Sequence, residues 1–309
     1  MSAAPFFYSH YGLALRSDLA LPHLLPGNPA APADVDIRLA SIADDRLADA
    51  MHFRNWRAEP GELLFHAFGI CRLLVSGGTT ILVDREAGAT DAALVSILLG
   101  TGISALLMQR RILPMHSCSI ASDRGAILVI GRSGAGKSTT LGGLVAAGCT
   151  MLADDVTGVT IDAAGATAIP AFPAMRLWRD SLSLLGRDDD DKVQVREDME
   201  KYYVAVPRFR AAPMPVRGVV LLQGHNGSAI TRRDVPMANR VEALARYVHR
   251  KNFLRGLGLQ PWAFDAVVRL AQSIEMVAIG RPGLGTTPAA MAEAVIDHFA
   301  LSAGAARAG

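Results

Sequence analysis

Gly131-Arg132-Ser133-Gly134-Ala135-Gly136-Lys137-Ser138 decides how this chain is expected to fold. The stretch fits the pattern G-x-x-x-x-G-K-[ST] in full. It lies between an apolar run, Ala126 to Ile130, that reads as a strand and an amphipathic run, Ser138 to Ala147, that reads as a helix stopping at Gly148. Each residue type has a physical task. Glycines let successive backbone N–H groups converge on a phosphate with no Cβ in the way. The helix start adds free N–H donors and partial positive charge. Gly131, Ser133, Gly134, Ala135, Gly136, Lys137, Ser138 and Thr139 are therefore the candidate nucleotide-binding residues. Lys137 is placed to bridge the β- and γ-phosphates of ATP, and the Ser138 hydroxyl to ligate Mg2+.

Downstream, Cys149 to Ala153 reads as a short strand ending in Asp154-Asp155. Phosphoryl transfer needs a carboxylate for the metal and benefits from a base near the acceptor hydroxyl. Adjacent residues at a strand end point to opposite sides, so the two acids are expected to divide this work.

Upstream, the first 90 residues alternate short β-like runs with turns: Val35 to Leu39, then a meander of Leu63 to Phe68, Ile70 to Val75 and Thr79 to Val83. Leu25 to Pro32 reads as a loop, and no nucleotide chemistry is visible in this part. Asp91 to Arg111 reads as one helix bridging to the second part, with a boundary near residues 86 to 112. Leu113 to Ala121 is expected as a strand, turning at Ser122-Asp123-Arg124-Gly125 into Ala126 to Ile130. Val216 to Leu222 and Met276 to Ile279 suit buried strands; Met237 to Leu257, Pro261 to Ile274 and Pro288 to Phe299 suit helices. The expectation is an α/β chain: residues 1–90 a small β-rich domain, residues 91–309 a P-loop catalytic domain.

Composition narrows the classes. Half of the residues are hydrophobic, 19% are charged and the net charge is +2, which suits a packed core and gives no reason to expect nucleic acid or an anionic membrane as partner. Cys71, Cys118 and Cys149 match no metal-ligand spacing and read as buried hydrophobes in a reducing compartment. The N-terminus lacks a basic flank followed by an apolar run, and Ala92 to Met108 reads as too short and too polar for a membrane span. A cytoplasmic location is expected.

Taken with His116 on the preceding strand, the loop Gly131 to Ser138 and Leu152-Ala153-Asp154-Asp155 resemble the catalytic domain of HPr kinase/phosphorylase, a bacterial protein-serine kinase family whose core is similar to that of phosphoenolpyruvate carboxykinase. The resemblance covers about residues 112 to 160. It implies a kinase transferring the γ-phosphoryl group of ATP to a serine hydroxyl, with Asp154 as base, Lys137 on the phosphates, His116 in the site, Asp155 on the metal or paired with His116, and a homo-oligomeric assembly. The family's glutamate–isoleucine–arginine–glycine signature is missing, its place taken by Ala174-Met175-Arg176-Leu177-Trp178, so the reverse, dephosphorylating reaction is not expected.

Tyr11-Gly12-Leu13-Ala14-Leu15-Arg16-Ser17-Asp18-Leu19-Ala20-Leu21-Pro22 resembles the opening of HPr-kinase-like proteins encoded with peptide-modifying enzymes, among them kinases of the C-terminal serine of lasso-peptide precursors. That resemblance implies a precursor peptide as partner. A small protein of the HPr type, a free small molecule, or nucleotide-gated binding without transfer are the alternatives. Arg176 reads either as a phosphate contact or as a surface arginine at a helix start, and Lys201 as a phosphate or peptide contact. The acidic run Asp188 to Asp191 reads as a solvated loop, or else as part of a lid over a peptide spanning Arg176 to Tyr203.

Overall fold

The computed structural model describes residues 4–187, 192–283 and 285–301. The first part of the chain folds into β1 (Phe6–His10), β2 (Leu13–Ser17), β3 (Leu25–Pro26), β4 (Val35–Leu39), β5 (Met51–Phe53), β6 (Trp56–Glu59), β7 (Glu62–Ala67), β8 (Cys71–Ser76) and β9 (Thr80–Arg85). They form one nine-stranded sheet in the order β3-β1-β2-β4-β9-β8-β7-β6-β5. The expected meander is present as the antiparallel run β7-β8-β9. The expected loop after residue 24 begins instead with the two-residue strand β3, held to β1.

A helix then crosses from this sheet to the next: α1 (Asp91–Ile97), a π-helical turn over Leu98–Gly102, and α2 (Ile103–Gln109). By length and composition it could cross a membrane, contrary to the expectation for Ala92 to Met108. Here 67% of its most apolar window is buried inside the protein, so its apolar character is satisfied by packing. Leu94, Leu98, Ile103 and Leu106 share one hydrophobic core with Leu73 and Ile81 of the first sheet and with Leu128 and Ile130 of the second. The first sheet ends at Arg85, but the core runs on through the helix.

The second part holds β10 (Leu113–Met115), β11 (Ser117–Ser122), β12 (Gly125–Gly131), α3 (Lys137–Ala146), β13 (Thr150–Ala153), β14 (Thr157–Asp162), β15 (Gly165–Ile169), β16 (Ala174–Trp178) and α4 (Arg179–Leu184). It continues with β17 (Val193–Arg196), β18 (Met199–Ala205), β19 (Met214–His225), β20 (Thr231–Asp234), α5 (Met237–Arg246), α6 (Phe253–Gly256), α7 (Gln260–Ser273), β21 (Glu275–Pro282) and α8 (Pro288–Phe299). The larger sheet runs β10-β14-β15-β19-β12-β11-β13, with β21 beside β19 and β20 beside β21. Strands β12, β19 and β21 are mutually parallel.

All of β12 is buried. Ala126, Leu128 and Ile130 face the core shared with the first sheet, while Ile127 and Val129 face a second core under α3 and α8. That alternation is the period of two of a strand covered on both faces. On α3, a Cβ at Gly143 would stand 2.3 Å from the Pro288 carbonyl, so this glycine lets α3 lie directly against the start of α8.

Two expected elements are broken, and both breaks lie together. The strand expected over Leu113 to Ala121 splits at His116: β10 pairs with β14, and β11 pairs with β12 and β13. The helix expected over Met237 to Leu257 stops at Arg246 and resumes only at Phe253. Between them the backbone bonds to the stretch from Pro114 to His116. His249 N–H donates to Pro114 O at 2.7 Å, and His116 N–H donates to Tyr247 O at 2.7 Å. Tertiary pairing has overridden helical propensity there.

Strands β16, β18 and β17 form a third, antiparallel sheet. Of the segment whose alternative reading is a lid, Leu177 and Leu182 are buried in the core under α3 and Val195 and Tyr203 in the core shared with the first sheet, while Trp178, Leu184 and Val193 are exposed. Asp188 to Asp191 lie outside the described residues.

Candidate active site

The glycine-rich loop leaves β12 at the end of the parallel strands, where Gly131 pairs with Leu222 of β19 and Gly224 of β19 pairs with Arg281 of β21. Crevices outside the carboxyl ends of parallel strands are the usual ligand sites of α/β sheets. Gly131 is required by crowding, since a Cβ would stand 2.9 Å from Leu222 O. Gly134 and Gly136 adopt φ of 79° and 95°, the left-handed conformation open to glycine. Gly136 caps α3 with no side-chain bond to the first-turn amides, which leaves the N–H groups of Lys137, Ser138 and Thr139 available to an anion.

Lys137 is 9% exposed, and its ammonium donates to Gly131 O at 2.9 Å and Arg132 O at 3.3 Å. Burial lowers its pKa, and the two carbonyls hold the Nζ against the loop. Ser133 and Gly134 are exposed, and Ala135 packs against the core under α3. Thr139 turns away from the loop, its Oγ1 2.8 Å from Ser181 Oγ on α4. Arg281, in β21, brings its guanidinium beside Gly136, where a Cβ would lie 3.8 Å from Nε.

The two aspartates are separated as their adjacency requires, and each has its own set of partners. Asp154, expected toward the acceptor, is 4% exposed and accepts a hydrogen bond from Ser138 Oγ at 3.0 Å through Oδ1. Its Oδ2 accepts from the backbone N–H of Arg176 at 2.7 Å. Asp155, expected on the metal or paired with His116, has φ of 70° and faces the other way, toward His116. Its Oδ2 accepts from Arg176 Nη2 at 2.6 Å, and its backbone carbonyl accepts from His116 Nδ1 at 3.0 Å. Its Oδ1 lies 3.8 Å from that same nitrogen. Backbone strain of this kind, in a non-glycine residue, is characteristic of functional sites.

Arg176 thus touches both acids. It is 6% exposed and lies inside β16, neither on the surface nor at a helix start. Burial alone would raise the Asp155 pKa, but the guanidinium of Arg176, then Lys201, His116 and His249, hold it well below the usual carboxylate range. Lys201 pairs with Trp178 across β16 and β18 and lies 5.7 Å from its ring centre. Burial lowers the His116 pKa against the pull of Asp155, so the ring is neutral near pH 7.

Two neighbours were not among the expected site residues. His249, within the segment expected as helix, stacks near His116 with ring centres 5.6 Å apart. Tyr11, at the β1–β2 turn, donates from its hydroxyl to Val156 O at 2.7 Å and so ties the first sheet to the strand end carrying the aspartates. No signal in the residue pattern points to His249; Tyr11 opens the N-terminal stretch whose resemblance implies a peptide partner.

Among the described residues no cluster of three or more His, Cys, Asp or Glu side chains could hold a metal ion. The hard oxygen pair of Ser138 Oγ and Asp154 Oδ1 nevertheless suits Mg2+, which keeps waters and takes one or two protein oxygens with the substrate's phosphates.

No protein-family model matches the chain, and no curated protein does. Among solved structures, the Hpr(Ser) kinase/phosphatase from Coxiella burnetii matches with a TM-score of 0.30. It is 11% identical, over 60% of this chain and 96% of that one. A likeness at that level decides neither fold nor chemistry, which rest on the chain's own residues.

Proposed function

We propose that this chain is an ATP-dependent kinase that transfers the γ-phosphoryl group to a serine hydroxyl. The observation that carries this reading is the contact between Ser138 and Asp154, which joins the glycine-rich loop to an acidic strand end whose second carboxylate faces away from it. A nucleotide switch needs the first half of that arrangement; a transferase also uses the second.

In this reading the loop amides and Lys137 bind the β- and γ-phosphates of ATP. Ser138 and Asp154 would hold Mg2+, which neutralises charge on the phosphate oxygens when bound. Asp155, paired with His116, stands on the acceptor side and takes the base role that the family resemblance implied for Asp154. The acceptor oxygen forms its bond to the γ-phosphorus as the bond to the β–γ bridging oxygen breaks, ADP leaves, and the hydroxyl proton passes to the Asp155 carboxylate. Arg176 keeps that carboxylate ionised and a weak base. A loose transition state places most of its demand on orientation of the hydroxyl and little on base strength.

The acceptor in this proposal is a peptide, with the C-terminal serine of a lasso-type precursor as first choice. Its support is the N-terminal stretch beginning at Tyr11 and the position of Tyr11 against Val156, beside the aspartates. The test is mass spectrometry after incubation with Mg–ATP of a synthetic precursor peptide ending in serine, its Ser→Ala variant, free serine and HPr. Phosphate on the serine-ending peptide alone is expected. Transfer only to free serine would make the protein a small-molecule kinase, and transfer only to HPr a protein kinase of the parent type.

A further inference from the structure

His249 has no role in the phosphoryl transfer described above, yet its hydrogen bonding leaves it in a single chemical form. Its Nδ1 lies 2.7 Å from Ser104 Oγ. Ser104 sits inside α2 and has one proton to give, which goes back along the helix to Gly100 O at 2.7 Å. Toward His249 the serine oxygen is therefore an acceptor, so Nδ1 carries the imidazole proton and Nε2 presents a bare lone pair. Burial holds the ring's pKa down at about 3, so the ring is neutral.

The same logic applies to His116. Its Nδ1 faces the carbonyl of Asp155, which can only accept, so this ring too presents an unprotonated Nε2. Among the described residues neither Nε2 has a hydrogen-bond partner within the protein. Two neutral rings, 5.6 Å apart between centres and beside Asp155, thus offer acceptors and no donor. Such a surface is complementary to a ligand group bearing N–H or O–H and repels a bare phosphate oxygen. It belongs with the acceptor and not with the triphosphate.

We infer that His249 is an acceptor-binding residue: its Nε2 takes a hydrogen bond from an N–H or O–H of the molecule to be phosphorylated, and Ser104 is the positioning residue that sets its tautomer. This assignment rests on the kinase reading above. It adds a specificity element that no sequence motif marks, located on the backbone segment that replaces the expected helix.

Two measurements test it. Long-range 15N spectra of the histidine-labelled protein at pH 7 need no acceptor. They are expected to show His249 as the Nδ1–H tautomer, and Ser104→Ala to convert part of it to the Nε2–H form. A His249 already in the Nε2–H form in the wild type overturns the inference. The second is kinetic, using whichever of the serine-ending peptide, free serine and HPr the wild type phosphorylates. His249→Ala is expected to raise the KM for that acceptor about tenfold, the loss of one hydrogen bond, with the KM for ATP unchanged. An unchanged acceptor KM, or an equal rise in the ATP KM, overturns the assignment while leaving the kinase reading in place. A wild type that binds Mg–ATP and phosphorylates none of the three overturns the kinase reading and this assignment together.

Discussion

Ser138 Oγ stands 3.0 Å from Asp154 Oδ1, so the first turn of α3 is bonded directly to the end of β13. The helix that begins at Lys137 and the strand that carries the acids are thereby registered to one another. Strand β11 lies between β12 and β13 and sets their separation. The next residue, Asp155, is turned by its left-handed backbone toward Arg176 and His116. One dipeptide thus faces two chemical environments.

Lys137→Ala is expected to lower the rate of phosphoryl transfer by at least about a hundredfold, since it removes the positive charge placed on the transferring group. The loop glycines and the strand before them are untouched, so the far-ultraviolet circular dichroism spectrum should match the wild type. Near-wild-type turnover in the folded variant would remove Lys137 from the site.

The two aspartates should separate in calorimetry. Asp154→Asn is expected to weaken Mg–ATP binding about tenfold or more, because it takes a charge from the metal side. Asp155→Asn should bind Mg–ATP as the wild type does yet transfer phosphate poorly. The opposite pattern would restore Asp154 to the acceptor and Asp155 to the metal.

The parts of this architecture that depend on local pattern were legible in the residues. The strand–loop–helix around Gly131 to Ser138 and the meander β7-β8-β9 follow from glycine placement and from alternation of apolar residues. What could not be read is where tertiary pairing outcompetes local preference. Residues 237 to 257 carry a helical pattern, yet Val248 bridges to Met115 and the helix gives way. The same contact breaks the strand at His116, so neither break could be inferred without the other. Arg176 shows a different limit: an arginine buried in a strand has no pattern of its own, and only the fold reveals the carboxylates that neutralise it. The direction in which Asp155 faces was likewise hidden, because it depends on the left-handed turn at that residue.

Acid should destabilise the protein through its buried imidazoles. Burial takes His10 from 6.5 down to about 4, its Nδ1 bonded to Ala171 O and its other nitrogen without a partner. The unfolded chain takes up the proton below pH 6.5, whereas the folded one does so only near pH 4. Stability is therefore full above pH 6.5 and falls as the pH drops between those values. His10 alone should remove about 2 kcal/mol between pH 7 and pH 5. Urea unfolding of the wild type and of His10→Gln at the two pH values checks this, with a smaller loss expected in the variant. An equal loss would mean that His10 is not a source of the acid sensitivity.

Arg176→Met separates the structural and chemical duties of the arginine. The backbone N–H that binds Asp154 Oδ2 survives the substitution, so the metal side should keep its geometry and Mg–ATP should bind as before. The guanidinium that neutralises Asp155 is lost, leaving a largely buried carboxylate unpaired. Stability should drop by about 3 kcal/mol at pH 7, the usual cost of removing one member of a buried pair. The pKa of Asp155 should also rise, because burial then acts without the opposing charge of Arg176. If Asp155 must be ionised to receive the acceptor's proton, the acid limb of the transfer rate moves to higher pH in the variant. Denaturant titration gives the first quantity, and transfer rates from pH 5 to pH 9 give the second. An acid limb that stays in place while stability falls would show that Arg176 holds the fold together and that Asp155 does not take the proton.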